Sequence, residues 1–145
     1  DRERDLALLA GRRWDAVIDT SGYVPRIVGA AARALAEAVD RYAFVSSISA
    51  YGAFPEPGLD ETAPTAPDPP ADAENVPENY AALKAACERV VERALPGRAL
   101  IVRPGLIVGP HDPTERFTYW APPTRAGSPK VGGCSLPALP TSLSS

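Results

Sequence analysis

Two stretches decide the fold: Trp14-Asp-Ala-Val-Ile-Asp-Thr20, closed by Ser21-Gly22, and Tyr42-Ala-Phe-Val-Ser-Ser47. Each is a short apolar run that gives way to small polar residues, the pattern of a buried strand. Between them, Pro25 stands where a first helical turn tolerates proline. Behind it Ile27, Val28, Ala31, Leu35, Ala38 and Val39 recur at helical spacing, which predicts an amphipathic helix over about 25–40.

Working outward, Leu6, Leu8 and Leu9 read as the end of a short preceding helix. Residues 53–79 are rich in proline and carboxylates, a composition that excludes regular structure and a length that exceeds a plain connector. A second helix is predicted from Pro77 to Leu95, stopped by Pro96-Gly97, with Tyr80, Leu83, Cys87, Val90, Val91 and Ala94 on its apolar face. The run Ala99-Leu-Ile-Val-Arg103 is a third strand, broken at Pro104-Gly105. Strand, helix, strand, helix, strand is the order of a parallel α/β sheet, whose strand C-termini gather on one edge where ligands bind. Residues 1–120 form this domain. Residues 121–145, with no acidic residue and thirteen of twenty-five positions Pro, Gly or Ser, read as an irregular tail, disordered or aberrant in origin.

Composition narrows the class. A chain of 145 residues supports one modest core. A net charge of −3 offers no general attraction to nucleic acid or anionic lipid. Cys87 and Cys134 give neither a disulfide framework nor metal-ligand spacing, and His111 is the one histidine. No apolar run reaches the roughly 20 residues that span a bilayer, so a cytoplasmic protein with no membrane and no nucleic-acid partner is expected. There is no methionine, even at position 1, which suggests a stretch from inside a longer protein.

The chemistry-bearing pair is Tyr80 and Lys84. Four residues apart on a helix, they project from one face a turn apart. A free tyrosine titrates near 10, and a neighbouring ammonium favours its phenolate, which makes a usable acid/base. With five tyrosines and only Lys84 and Lys130 as lysines, the pairing arises by chance in about 7% of shuffled sequences. Against it stands an interfacial aromatic beside a snorkelling lysine. Ser46, Ser47 and Ser49 follow the second strand, where a hydroxyl can bond a substrate oxygen as its charge changes or simply make a turn. Asp60 and Glu61 read first as a solvated acidic stretch, and Cys87 as packing.

Phe44-Val-Ser-Ser-Ile-Ser-Ala-Tyr-Gly52, Asp60-Glu61, Tyr80-Ala-Ala-Leu-Lys84 and Arg103-Pro-Gly-Leu-Ile-Val-Gly-Pro110, in this order and spacing, resemble the extended short-chain dehydrogenases/reductases of the NAD-dependent epimerase/dehydratase type. The resemblance covers about residues 1–120. It implies an α/β fold: a partial Rossmann-type parallel sheet with flanking helices, lacking the N-terminal glycine-rich βαβ unit and the C-terminal substrate domain. It also implies a catalytic set of Ser47, Tyr80 and Lys84. Lys84 would hold the nicotinamide ribose, Pro104 and Gly105 would line the nicotinamide, and Thr20, Ser21 and Gly22 would be the small residues against NAD or NADP. Thr-Ser-Gly-Tyr departs from the family's usual pattern there, and Tyr23 and Arg26 are read as tuning substrate choice or packing. The implied reaction is hydride exchange on a small-molecule substrate, with nucleotide-sugars leading, in an intact homodimer paired through the 25–40 and 77–95 helices.

The family's Gly-x-x-Gly-x-x-Gly fingerprint does not occur in this sequence, so the chain by itself is expected not to bind NAD(H). Two alternatives stand beside the enzyme. One is a non-catalytic nucleotide- or RNA-binding relative on the same scaffold, and the other is an inactive truncated gene product.

Overall fold

The computed structural model describes residues 5–9, 11–54 and 57–109. Within them three strands form one parallel sheet in the order β1 (Trp14–Asp19), β2 (Val39–Val45) and β3 (Ala99–Val102). Helix α1 (Pro25–Leu35) joins β1 to β2, and helix α2 (Val76–Ala94) precedes β3. Short 3-10 turns occupy Leu6–Leu9 and Ile48–Tyr51. The architecture is the expected partial Rossmann-type α/β fold. This compact unit ends at Ile107. The irregular tail expected over 121–145, His111 and Cys134 lie outside the described residues.

The core lies between the sheet and its helices. Val17 of β1 pairs with Tyr42 of β2, and Tyr42 with Ala99 of β3; Phe44 pairs with Asp19 and Ile101. Because alternate residues of a strand face one side, Tyr42 and Phe44 project together toward the helices. There they are buried with Val28, Ala32 and Leu35 of α1 and Cys87 and Val91 of α2. Gly29 of α1 faces α2 at packing distance: a Cβ there would stand 3.5 Å from Val90, an ordinary contact.

Among the described residues no element covers the opposite face, which corrects the reading of 14–20 as a buried strand. Ile18, Ala43 and Leu100 align in one row across the sheet, and Ile18 is 70% exposed and Leu100 61%. An apolar run signals burial on both faces only where both faces are covered, and among the described residues both helices pack on one.

Helix α1 stops at Leu35 and not near 40. Ala38 N–H closes a turn onto Leu35 O at 2.8 Å, and Trp14 N–H bonds Ala38 O at 2.9 Å, so pairing with β1 captures the chain. The Arg98 guanidinium donates to Ala36 O and Val39 O at 2.8 and 2.9 Å, satisfying carbonyls at that turn. Val39, read as helical, therefore opens β2, which starts three residues earlier than expected and ends at Val45. Helix α2 is interrupted at Asn79 (φ −117°, ψ 19°), so its regular part starts at Tyr80.

Candidate active site

Parallel strands deliver their C-terminal residues to one edge of the sheet. Here these are Thr20-Ser21-Gly22 after β1, Ser46-Ser47 after β2 and Arg103-Pro104-Gly105 after β3. The β2 and β3 ends are laced together, Ser46 N–H donating to Val102 O at 2.7 Å and Ile48 N–H to Pro104 O at 3.0 Å. Helix α2 comes close to this edge through small residues: Ala85 is buried against Ala50 of the Ile48–Tyr51 turn and Ala66 of the loop.

Ser47 sits in extended conformation as the N-cap of that turn, its Oγ accepting the Ser49 N–H at 3.1 Å. A hydroxyl that accepts in this way still has its own proton to donate. Tyr80 is half-buried, its ring 6.3 Å from that of Tyr23 and tilted by 42°. Tyr23 also lies against Lys84, whose Nζ is 5.3 Å from its ring centroid and 4.6 Å from that of Phe44.

Lys84 is 3% exposed. Its ammonium donates to Gly22 O and Val45 O, each at 2.9 Å, and so bridges the ends of β1 and β2. Burial holds its pKa below the usual lysine value, against the opposing influence of Cys87, Asp19 and Glu88. Two of its three donors are thus taken by main-chain carbonyls.

Of the residues placed beside a cofactor, Thr20 and Ser21 are exposed and Gly22 is buried. The close approach at Gly22 is to the chain itself, since a Cβ would stand 2.5 Å from Val28 Cγ2 and 2.6 Å from Phe44 Cε2. Pro104 is half-buried, and the exposed Gly105 has open space, with only Ile48 Cδ1 at 3.8 Å from an added Cβ. A cavity of about 330 Å³ at the β1 end is lined in part by Asp19, Thr20, Ser21 and Tyr42.

Several polar residues here were not foreseen from the sequence. Asp19 is buried, accepting the Tyr42 hydroxyl at 2.7 Å and the Ser21 N–H at 3.3 Å. Glu88 is 3% exposed and accepts from the Ser46 hydroxyl and from Arg103. That bond holds the Arg103 pKa above its usual value. The signal for Glu88 was its place four residues beyond Lys84, which a search for apolar periodicity passes over. Asp60 is exposed and stabilises its own turn: Thr62 donates its hydroxyl (2.7 Å) and N–H (2.9 Å), which lowers the carboxyl pKa. Among the described residues no helix is long and apolar enough to cross a membrane, and no His/Cys/Asp/Glu group could hold a metal ion.

A parallel sheet with flanking helices, its strand ends gathered on one edge, is a partial Rossmann-type α/β fold. The chain belongs to the NAD dependent epimerase/dehydratase family, whose sequence model matches residues 13–130. Comparison with curated proteins and with solved structures returned no match.

Proposed function

We propose that the intact protein is an NAD(P)-dependent epimerase, dehydratase or reductase that exchanges hydride at a hydroxyl- or carbonyl-bearing carbon of a nucleotide-sugar or related small molecule. The observation that carries this is the seating of Lys84: a buried ammonium one helical turn from Tyr80, bonded to the strand end that leads into Ser47. The side chains suit the nicotinamide–ribose end of a dinucleotide, with hydroxyls at Thr20 and Ser21 beside a cavity and an open backbone at Gly105.

When bound, the dinucleotide supplies the hydride acceptor or donor. The chain's own residues handle the proton and the oxygen. In the oxidising direction Tyr80 accepts the proton of the substrate hydroxyl as the carbon loses hydride, leaving a carbonyl and a neutral phenol. Ser47 donates a hydrogen bond to the reacting oxygen, and Lys84 supplies the neighbouring positive charge that a phenolate base requires. Reduction runs the same transfers backwards.

The test is Tyr80→Phe in the intact protein with a panel of nucleotide-sugars. Turnover should fall by about a hundredfold or more while NAD(P)H affinity stays within about threefold. Unchanged kcat would sink the mechanism. A non-catalytic nucleotide-binding relative on the same scaffold is the second reading. Nucleotide binding without any turnover in the unaltered protein would select it.

A further inference from the structure

Glu88 follows Lys84 by one further turn of α2 and is equally buried. Its carboxylate accepts the Ser46 hydroxyl, and it receives Arg103 as a fork, Nε at 3.0 Å from Oε1 and Nη2 at 2.8 Å from Oε2. Ser46 is the neighbour of Ser47, and Arg103 immediately precedes Pro104. The Arg103 guanidinium also lies 4.6 Å from the ring centroid of Tyr51, the last residue of the turn that Ser47 caps. Tyr51 in turn donates its hydroxyl to Asp60 O at 2.9 Å.

One carboxylate on the helix of Tyr80 and Lys84 therefore reaches both ends of the serine turn and the end of β3. Apolar residues of similar size hold a helix on a sheet as well as a buried ion pair does, because removing two charges from water offsets their attraction. What a bidentate fork adds is direction, fixing the in-plane orientation of both partners.

We infer that Glu88, paired with Arg103, is a positioning residue that sets the Ser47 turn against Tyr80 and Lys84. The inference rests on the reading of Ser47, Tyr80 and Lys84 as one site. Glu88 acts through Ser46 and Arg103 and does not itself meet the reacting atoms.

The first test needs no substrate. Amide hydrogen exchange in the full chain compares the turn amides of Ser49, Ala50 and Gly52, which bond Ser47 Oγ, Ser47 O and Ser49 O, with the core amides of Phe44 and Val91. Glu88→Gln should speed the turn amides by about tenfold or more and the core amides by less than about threefold. Ser46→Ala, which leaves the ion pair intact, should show the same pattern at about threefold, and it decides the matter if Glu88→Gln does not fold. Unchanged turn amides, or equal acceleration of turn and core, overturns the inference.

In the intact enzyme Glu88→Gln should lower kcat about tenfold with the dinucleotide KM within about twofold, and should add little once Ser47→Ala is present. A full additional tenfold loss in the Ser47→Ala background overturns the positioning role. Absence of turnover in the unaltered protein counts against the proposed function, and the exchange pattern then decides the role of Glu88 alone.

Discussion

Gly22 meets the ring edge of Phe44 so closely that a Cβ at position 22 would stand 2.6 Å from Phe44 Cε2. The same residue gives its carbonyl to Lys84. Packing and the candidate site thus share one backbone position. Gly22→Ala is expected to lower stability by about 1–3 kcal/mol through overpacking, read as an earlier urea midpoint. An unshifted midpoint would show that Val28 and Phe44 yield freely.

Asp19 and Tyr42 make a buried polar contact between neighbouring strands, with the hydroxyl 2.7 Å from the carboxylate. Tyr42→Phe keeps the ring in the core and removes that donor. The expected loss is about 1–3 kcal/mol, the range for a hydrogen bond to a buried charged group. Urea unfolding checks it, and a loss close to zero would place water, not Tyr42, as the carboxylate's effective partner.

Lys84 should leave a signature in the pH dependence of stability. Its folded pKa lies below the unfolded value of 10.5. Between those two values the unfolded chain binds the extra proton, so stability attributable to Lys84 rises with pH across that window and is flat below it. The stability of the native protein relative to Lys84→Met should therefore climb as pH approaches 10.5. A difference that stays level, or falls, contradicts the burial of the ammonium.

Arg89 straps the proline-rich loop to α2, donating to Thr65 Oγ1 at 3.2 Å, Ala66 O at 3.4 Å and Asp68 at 2.6 Å. The pair with Asp68 is largely solvent-facing, so its contribution to global stability is small. Arg89→Ala is expected to change unfolding free energy by less than about 1 kcal/mol while limited proteolysis within 57–75 speeds up by about threefold or more. Unaltered cleavage would mean that the loop is held chiefly by Ala66 against Ala50.

The sheet face opposite the helices invites association, because exposed apolar surface on a parallel sheet is unusual. Ile18→Thr with Leu100→Thr removes apolar side chains from that face without opening a cavity. Stability should move by less than about 1 kcal/mol, and self-association measured by light scattering should decline. A large loss of stability would show that this face is packed in solution.

The element order was legible because each strand holds a short apolar run, residues 16–18, 42–45 and 99–102, and each helix repeats its apolar residues every three to four positions. Where neighbours compete for the same residues, that local signal failed. Ala38 and Val39 continue the helical spacing of α1, yet β1 takes them through Trp14. Burial failed on the face opposite the helices for a related reason, since Ile18 carries no mark of whether a second layer covers it. In the candidate site, Tyr80 and Lys84 stood out by residue type and spacing, and Ser47 only through the family resemblance. Asp19, Glu88 and Arg103 did not, because a buried charge is recognisable only once its partner, distant in sequence, is in place.

The regular part of α2 carries Tyr80, Lys84 and Glu88 at intervals of four, downstream of the irregular Asn79. Each residue added to a helix rotates everything beyond it by about 100°. A single insertion between Tyr80 and Glu88 would turn the tyrosine away from the lysine or the lysine away from the glutamate, whichever side it fell on. The same insertion in the proline-rich segment ahead of Val76 would be absorbed by irregular backbone. Length changes are therefore tolerated on one side of Asn79 and forbidden on the other, so the helix keeps the spacing of the site as a ruler keeps its marks.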